Sequence, residues 1–147
     1  MRIVTSAMLC AAMLLGGCAA KEATTEYIKP GKVIGPYTPA VRVGKTLYVS
    51  GQIALDPATG NLKNGSIEEE TAQVLDNLEA VLKASGYAMG HVVSATVYLT
   101  DMKNYGAMNA VYGKRFPEGK FPARVAVQVS ALPRGANIEI SAIASKE

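Results

Sequence analysis

The feature that most constrains the fold is a pair of alternating runs in residues 121–145, FPARVAVQVSALPRGANIEISAIAS. In the first run, alternate valines share one face of a strand, which places Arg124 on the other face. In the second run, alternate apolar residues lie opposite Glu139. Leu-Pro-Arg-Gly at residues 132–135 separates the runs, so we predict two adjacent strands with a short connection. The charged pair then fits either a salt bridge across the sheet or two halves of a small polar site.

A hairpin is predicted earlier in the chain. Two β-rich runs, residues 40–43 and 46–54, flank the turn-forming pair Gly44 and Lys45. Gly51 lies inside the second run, where a glycine weakens a strand. It therefore predicts a bulge, or a place where another group approaches the backbone closely.

Two helices are predicted between the strands. Ser66 and Glu69 have the spacing of a capping box, and Gly86 is a suitable end for the helix that follows. The apolar stripe of this helix is formed by Val74, Leu75, Leu78, Val81 and Leu82. A second, shorter helix is predicted from Asp101 to about Arg115, with a stripe formed by Tyr105, Met108, Val111 and Tyr112.

The order of elements predicts an α+β fold. Residues 92–100 read as a strand between the helices, with one face formed by Val93, Ala95, Val97 and Leu99. Strands, helix, strand, helix and two strands, with alternating strand patterns, indicate a sheet covered by helices on one face. The other face would carry apolar side chains, which we expect to pack on other copies of the chain: Tyr48, Val127 and Ile140.

The residue inventory excludes several classes of site. The net charge is +3 and no run of Lys or Arg occurs, which argues against nucleic-acid binding. The single histidine, His91, and two cysteines cannot form a His/Cys metal cluster, so no metal is expected. No GxGxxG is present, which argues against a nucleotide cofactor. A nucleophilic Ser50 paired with His91 lacks the sequence of a nucleophile elbow.

The N-terminus has the order of an export signal. Arg2 precedes an apolar stretch at residues 3–15 that is too short to span a bilayer. Leu-Gly-Gly-Cys at residues 15–18 resembles a bacterial lipobox, which predicts a signal peptide at residues 1–17, lipidation of Cys18 and a tether to residue 33. The mature protein would face the periplasm, at the outer membrane in a Gram-negative host. An ordinary secretory signal, or a cytosolic protein with a misassigned start, remains the alternative.

The remaining polar residues suit the hydrolysis of a small acid that is already electrophilic. Arginine offers a planar fork of donors that binds a carboxylate bidentately. A glutamate in apolar surroundings can orient water or hold a proton. The candidates are Arg124, Glu139, Tyr37, Ser50, Asn109 and the backbone near Gly51.

Separated motifs across residues 34–145 resemble the RidA/YjgF family of reactive intermediate deaminases. They are Gly35-Pro36-Tyr37, Tyr48-Val49-Ser50-Gly51-Gln52, Asn109-Ala110-Val111-Tyr112, Phe121-Pro122-Ala123-Arg124, Ile138-Glu139-Ile140 and Ala142-Ile143-Ala144. The resemblance implies a RidA-like domain at residues 34–147 with a chorismate-mutase-like α+β fold. It also implies two helices on one face of a mixed sheet, and a homotrimer with an inner β-barrel and sites between subunits.

The same resemblance implies that enamines and imines such as 2-aminoacrylate and 2-iminopropanoate are hydrolysed to 2-keto acids and ammonia without a cofactor. By position, Arg124 grips the substrate carboxylate and Glu139 orients or activates water. Pocket residues are implied at Tyr37, Ser50, Gly51 and Asn109. Ala126 stands where bacterial deaminases of the family often have a cysteine, which implies an altered substrate range.

Two non-catalytic functions remain alternatives. The first is a binding protein that holds a small carboxylate in the Arg124 cleft outside the cytoplasm. The second is a holdase-like chaperone, for which the sequence offers no feature of its own. Export is a departure from the family pattern, because enamines arise mainly from cytoplasmic pyridoxal-phosphate enzymes, so the physiological substrate stays open.

Overall fold

The structure, a computed structural model, describes residues 23–31 and 33–146. The predicted signal peptide and Cys18 lie outside the described residues, so their assignments stay predictions. Within the described part of the chain, no helix has the length and apolar character needed to cross a membrane.

The described chain forms a mixed six-stranded sheet with two helices. The elements in order are β1 Thr25–Ile28, β2 Ala40–Val43, β3 Thr46–Gln52, α1 Ile67–Ala84, β4 Val92–Leu99, α2 Tyr105–Tyr112, β5 Ala123–Gln128 and β6 Ile138–Ser145. The strand order is β1-β2-β3-β6-β4-β5, in which β4 and β5 are parallel and the other neighbours antiparallel. The α+β prediction is therefore confirmed.

Helix α1 follows its sequence pattern closely. The Ser66 side chain accepts from the Glu69 backbone N–H at 3.2 Å, and the Glu69 carboxylate accepts from the Ser66 N–H at 3.0 Å. Gly86 follows the helix with φ +75°, a conformation that a side chain would disfavour. The predicted stripe is buried, and α1 packs on α2, β3 and β6. Both helices thus cover one face of the sheet.

The opposite face of the sheet, here called the open face, carries exposed apolar side chains. Register places Tyr48 of β3 beside Ile143 of β6, and Val125 and Val127 of β5 beside alternate residues of β4. Tyr48 is 49% exposed and Val125 56%. Tyr48 and Val127 lie on this face as predicted, and their packing on other copies stays a prediction, whereas Ile140 belongs to the buried helix side and was wrongly assigned.

The prediction that β5 and β6 are adjacent is wrong. β4 lies between them, pairing in parallel with β5 and antiparallel with β6. The chain between β5 and β6 therefore passes across the end of β4, and its short helical turn at Pro133–Gly135 is part of a crossover. A salt bridge between neighbouring strands is excluded as the explanation for Arg124 and Glu139.

Two smaller expectations also need correction. Val93 is half exposed and Val92 is buried, because the pairing register of β4 with β6 shifts between Val92 and Ser94. Residues 25–28, which we assigned to the tether, form β1 and pair with β2. Glu26 and Arg42 form an ion pair between these two strands. Alternating side chains and an available sheet edge are sufficient to order this short segment.

Candidate active site

The carboxylate of Glu139 lies against the backbone of Gly51. A Cβ at position 51 would overlap the carboxylate, with Cδ of Glu139 only 2.6 Å away. The register of β3 with β6 also shifts between Val49 and Gln52. Both features predicted for Gly51, a bulge and a close approach, are therefore present, and the approaching group is Glu139.

Burial sets the acidity of Glu139. The side chain is half buried on the open face, beside Tyr98 of β4 in register, and burial raises the pKa of its carboxyl above the usual value. Two residues earlier, Asn137 donates from its backbone N–H and its side chain to the fully buried Glu70 of α1, at 2.7 and 2.9 Å. This anchor fixes the start of β6 and with it the position of Glu139.

Tyr37 and Ser50 lie close to Gly51, but neither Ser50 nor Glu139 lines the groove that Tyr37 shares with Gly51. Tyr37 and Gly51 line one groove of about 190 Å³, together with apolar side chains from the loop before β2 and from α1. The Ser50 hydroxyl donates to the Thr38 carbonyl at 2.7 Å and so ties this loop to β3. We call Tyr37, Ser50, Gly51 and Glu139 the acid half-site.

Arg124 lies at the other end of the sheet, on the helix-covered side. Its guanidinium is 4.6 Å from the centroid of the Tyr112 ring, and its Nη2 donates to the Tyr105 hydroxyl at 3.2 Å. Arg124, Tyr112 and Asn109 line a cleft of about 360 Å³. We call Arg124, Tyr105, Asn109 and Tyr112 the arginine half-site.

The pKa values of two tyrosines in this half-site are shifted in opposite directions by their surroundings. Burial raises the pKa of Tyr112 to about 12, although the charge of Arg124 acts against the rise. For Tyr105, a hydrogen bond with Asn109 lowers the pKa first, and the positive charge of Arg124 adds to the effect. Tyr112 therefore stays neutral under Arg124, whereas the Tyr105 phenol ionises more readily than an ordinary tyrosine.

The two half-sites do not meet within one chain. Arg124 is opposite Ala95 on β4 and Glu139 is opposite Tyr98, on the far side of that strand. With two strand spacings and three residues between them, their Cα atoms are about 14 Å apart. Their side chains also leave opposite faces of the sheet. Among the described residues, no ion pair joins Arg124 to Glu139.

Two helix residues have a role that their sequence pattern did not predict. Tyr105 and Tyr112 were assigned to an apolar stripe, yet both contact Arg124. Their spacing of seven residues places them on one side of α2 with Asn109 between them. The signal was present, because a helix with two aromatic residues on one side lies directly before the motif that contains Arg124. Ala126, two residues after Arg124, packs against the core.

Comparisons with known proteins agree on one family. A family model described as Endoribonuclease L-PSP matches residues 28–146. The chain is 49% identical over 116 residues to the 2-iminobutanoate/2-iminopropanoate deaminase of Mus musculus, covering 79% of this chain and 85% of that protein. The structure of a putative endoribonuclease from Thermotoga maritima shows 46% identity and a TM-score of 0.77, over 87% of this chain and 98% of that one. The structure of E. coli TdcF with bound serine shows 31% identity and a TM-score of 0.74, over 87% and 100%.

Proposed function

The chain belongs to the RidA/YjgF (Endoribonuclease L-PSP) family and has its chorismate-mutase-like α+β fold, and from this we propose that it hydrolyses small imino and enamino acids to 2-keto acids and ammonia. One observation carries the proposal. The Arg124 guanidinium is held by aromatic side chains at a cleft, in a geometry suited to a small carboxylate.

The proposed reaction needs no group beyond water. Arg124 pairs with the carboxylate of 2-iminopropanoate and fixes the carbon of its C=N bond. Water held by Glu139 adds its oxygen to that carbon, and one water proton passes to the carboxylate of Glu139. Glu139 returns that proton to nitrogen, which leaves a carbon that bears a hydroxyl and an amino group. Glu139 then transfers the hydroxyl proton to the same nitrogen, the C–N bond breaks, and ammonia leaves as the carbonyl forms. The raised pKa of Glu139 suits a group that must both accept and return a proton.

The separation of the half-sites requires a second copy of the chain for this reaction. We propose the homotrimer that the family implies, in which Arg124 of one subunit faces Glu139 of the next. The apolar side chains of the open face support an assembly that covers them. In a ring of identical head-to-tail contacts, each boundary supplies one complete site.

The similar proteins are named both as a putative endoribonuclease and as a deaminase. We favour deamination, because the chain has a net charge of +3 and no basic run that would follow a nucleic-acid backbone. Serine bound to TdcF is a small amino acid with a carboxylate, which supports a similar ligand at Arg124 here.

The direct test generates 2-iminopropanoate in solution and follows its loss with the purified chain that lacks residues 1–17. We expect the protein to accelerate the loss of 2-iminopropanoate over buffer. For Arg124→Ala, kcat/KM should fall by about a hundredfold or more. Arg42→Ala is the matched control, since it removes a partly exposed arginine of β2, near the other edge of the sheet. No acceleration by a folded oligomer would contradict the proposal, and retained binding of pyruvate would then favour a carboxylate-binding protein.

We also propose that the chain is exported and anchored through a lipid on Cys18. The support is the order of a basic residue, an apolar stretch, small residues and cysteine at the N-terminus. Labelled palmitate should enter the expressed protein and be lost in Cys18→Ser. Equal labelling of both proteins, or none in either, would contradict the anchor.

A further inference from the structure

Tyr105 has an unusual place in the arginine half-site. Its hydroxyl accepts from Nη2 of Arg124 at 3.2 Å, while its ring lies 5.7 Å from the guanidinium carbon. It is 38% exposed, in contrast to Tyr112, which is 4% exposed and belongs to the core. Tyr105 can therefore be substituted without disturbing the packing of the core.

The two tyrosines restrict different motions of Arg124. The contact with Tyr112 keeps the guanidinium over the face of that ring but leaves the guanidinium free to rotate above it. A hydrogen bond from Nη2 to Tyr105 removes that rotation. Bidentate pairing with a carboxylate depends on the direction of the arginine fork, and a fork fixed in advance loses less entropy on binding.

We propose that Tyr105 is a positioning residue that orients the Arg124 fork toward the substrate carboxylate. This inference rests on the proposed function, because it assigns Arg124 the task of holding that carboxylate. Tyr105 touches neither substrate nor water in this proposal. It acts through Arg124, so its removal alters binding before it alters the chemical step.

The ionisation of Tyr105 gives a second, independent readout. Among the described residues, two groups face the Tyr105 phenol: Arg124 from β5 and the neutral Asn109 from the same helix. Tyr112 also contacts the guanidinium of Arg124. Both Asn109 and Arg124 lower the pKa of the Tyr105 phenol. A phenolate would pair with Arg124 and compete with the substrate carboxylate. Binding therefore weakens as pH rises through that pKa.

Tyr105→Phe tests the proposal, because it keeps the ring and removes only the hydroxyl. We expect KM for 2-iminopropanoate to rise about three- to tenfold, with kcat within about twofold of the parent. The alkaline fall in kcat/KM that we expect of the parent should disappear. Tyr27→Phe, at an exposed tyrosine on the opposite edge of the sheet, is the matched control. Site-specific 3-fluorotyrosine at position 105 should retain KM at neutral pH and move the alkaline fall to lower pH.

Two results would overturn the proposal. One is an unchanged KM with the same alkaline fall in Tyr105→Phe. The other is a loss confined to kcat, which would assign Tyr105 a part in the chemical step instead.

Binding of pyruvate, measured by calorimetry, separates this inference from the proposed function. Tyr105→Phe should weaken pyruvate binding by the same factor as it raises KM, and Arg124→Ala should abolish it. A parent protein that binds pyruvate without turnover would refute the deaminase while still testing Tyr105. A parent that neither turns over nor binds pyruvate would overturn both.

Discussion

The arginine half-site and the acid half-site are built in different ways. The first comes from one stretch of sequence, since only residues 113–122 separate α2 from β5 and α2 contributes the side chains that hold Arg124. The second joins distant segments, namely the loop before β2, the bulge at Gly51 and the start of β6. The geometry of the arginine half-site is therefore set by one helix packed beside β5. The geometry of the acid half-site depends on the register of the whole sheet.

The strongest test of this comparison mixes two inactive proteins. If the half-sites meet only across subunits, Arg124→Ala and Glu139→Gln should complement each other when refolded together. With random assembly, about one quarter of the boundaries then carry a sound arginine and a sound glutamate. The measurement is imine hydrolysis before and after mixing, with each variant refolded alone as control. A mixture no more active than its parents would place the complete site within one chain.

Gly51→Ala should impair the acid half-site and leave the arginine half-site intact. The added methyl overlaps the carboxylate of Glu139 and must displace it, and a shift of about 1 Å can lower kcat about a hundredfold. Binding of pyruvate should change less than about threefold, since Arg124 and its aromatic contacts, not Glu139, hold the carboxylate. Gly106→Ala is the control, because nothing lies within 4 Å of a Cβ at that helix position. Equal loss of binding and turnover in Gly51→Ala would contradict the separation.

Glu70→Ala should show how much the contact between α1 and the start of β6 stabilises the fold around the acid half-site. It removes the acceptor for two hydrogen bonds from Asn137 inside the protein, so the free energy of unfolding should fall by about 2–4 kcal/mol. Glu68→Ala removes an exposed carboxylate from the same helical turn and should cost less than about 1 kcal/mol. Denaturant unfolding at one fixed protein concentration measures both. Equal small losses in the two variants would show that Glu70 does not anchor β6.

The smallest expected effect concerns the ionisation of Glu139. Its pKa is raised in the folded chain, so the stability due to its proton is complete below the unfolded pKa and is lost as pH rises through the folded one. Glu139→Gln should therefore raise Tm at pH 7, by less than about 4 °C, and have a smaller effect at pH 4. Glu118→Gln, at an exposed glutamate, is the control. A lower Tm at pH 7 in Glu139→Gln would mean that the carboxylate is paired in the assembly.

Local signals in the sequence were sufficient for much of this structure. The capping box at Ser66 and the turn at Gly44 each depend on a few neighbouring residues, and each is present as predicted. A glycine within a strand was enough to predict a close approach at Gly51, but not that the distant Glu139 makes it. Strand order was not predictable in the same way. Adjacent strands in sequence usually pair, but the crossover after β5 passes β4, and no local pattern records that choice.

The same limit applies to the site. Position along the chain was enough to single out Arg124 and Glu139, yet alternation alone could not show that they leave opposite faces of different strands. The roles of Tyr105 and Tyr112 were hidden because an aromatic residue in a helical stripe is usually only a core residue. Their contact with a cation becomes visible only when α2 is placed over β5.

The strand that carries Arg124 also makes the unassembled chain prone to aggregation. β5 ends the sheet, so one row of its backbone N–H and C=O groups has no neighbouring strand within the described chain, and its valines are exposed beside that row. Such an edge is a template for uncontrolled strand addition. Substitutions that prevent assembly should therefore appear in an expression culture as insoluble protein, and a stable soluble monomer should be hard to obtain.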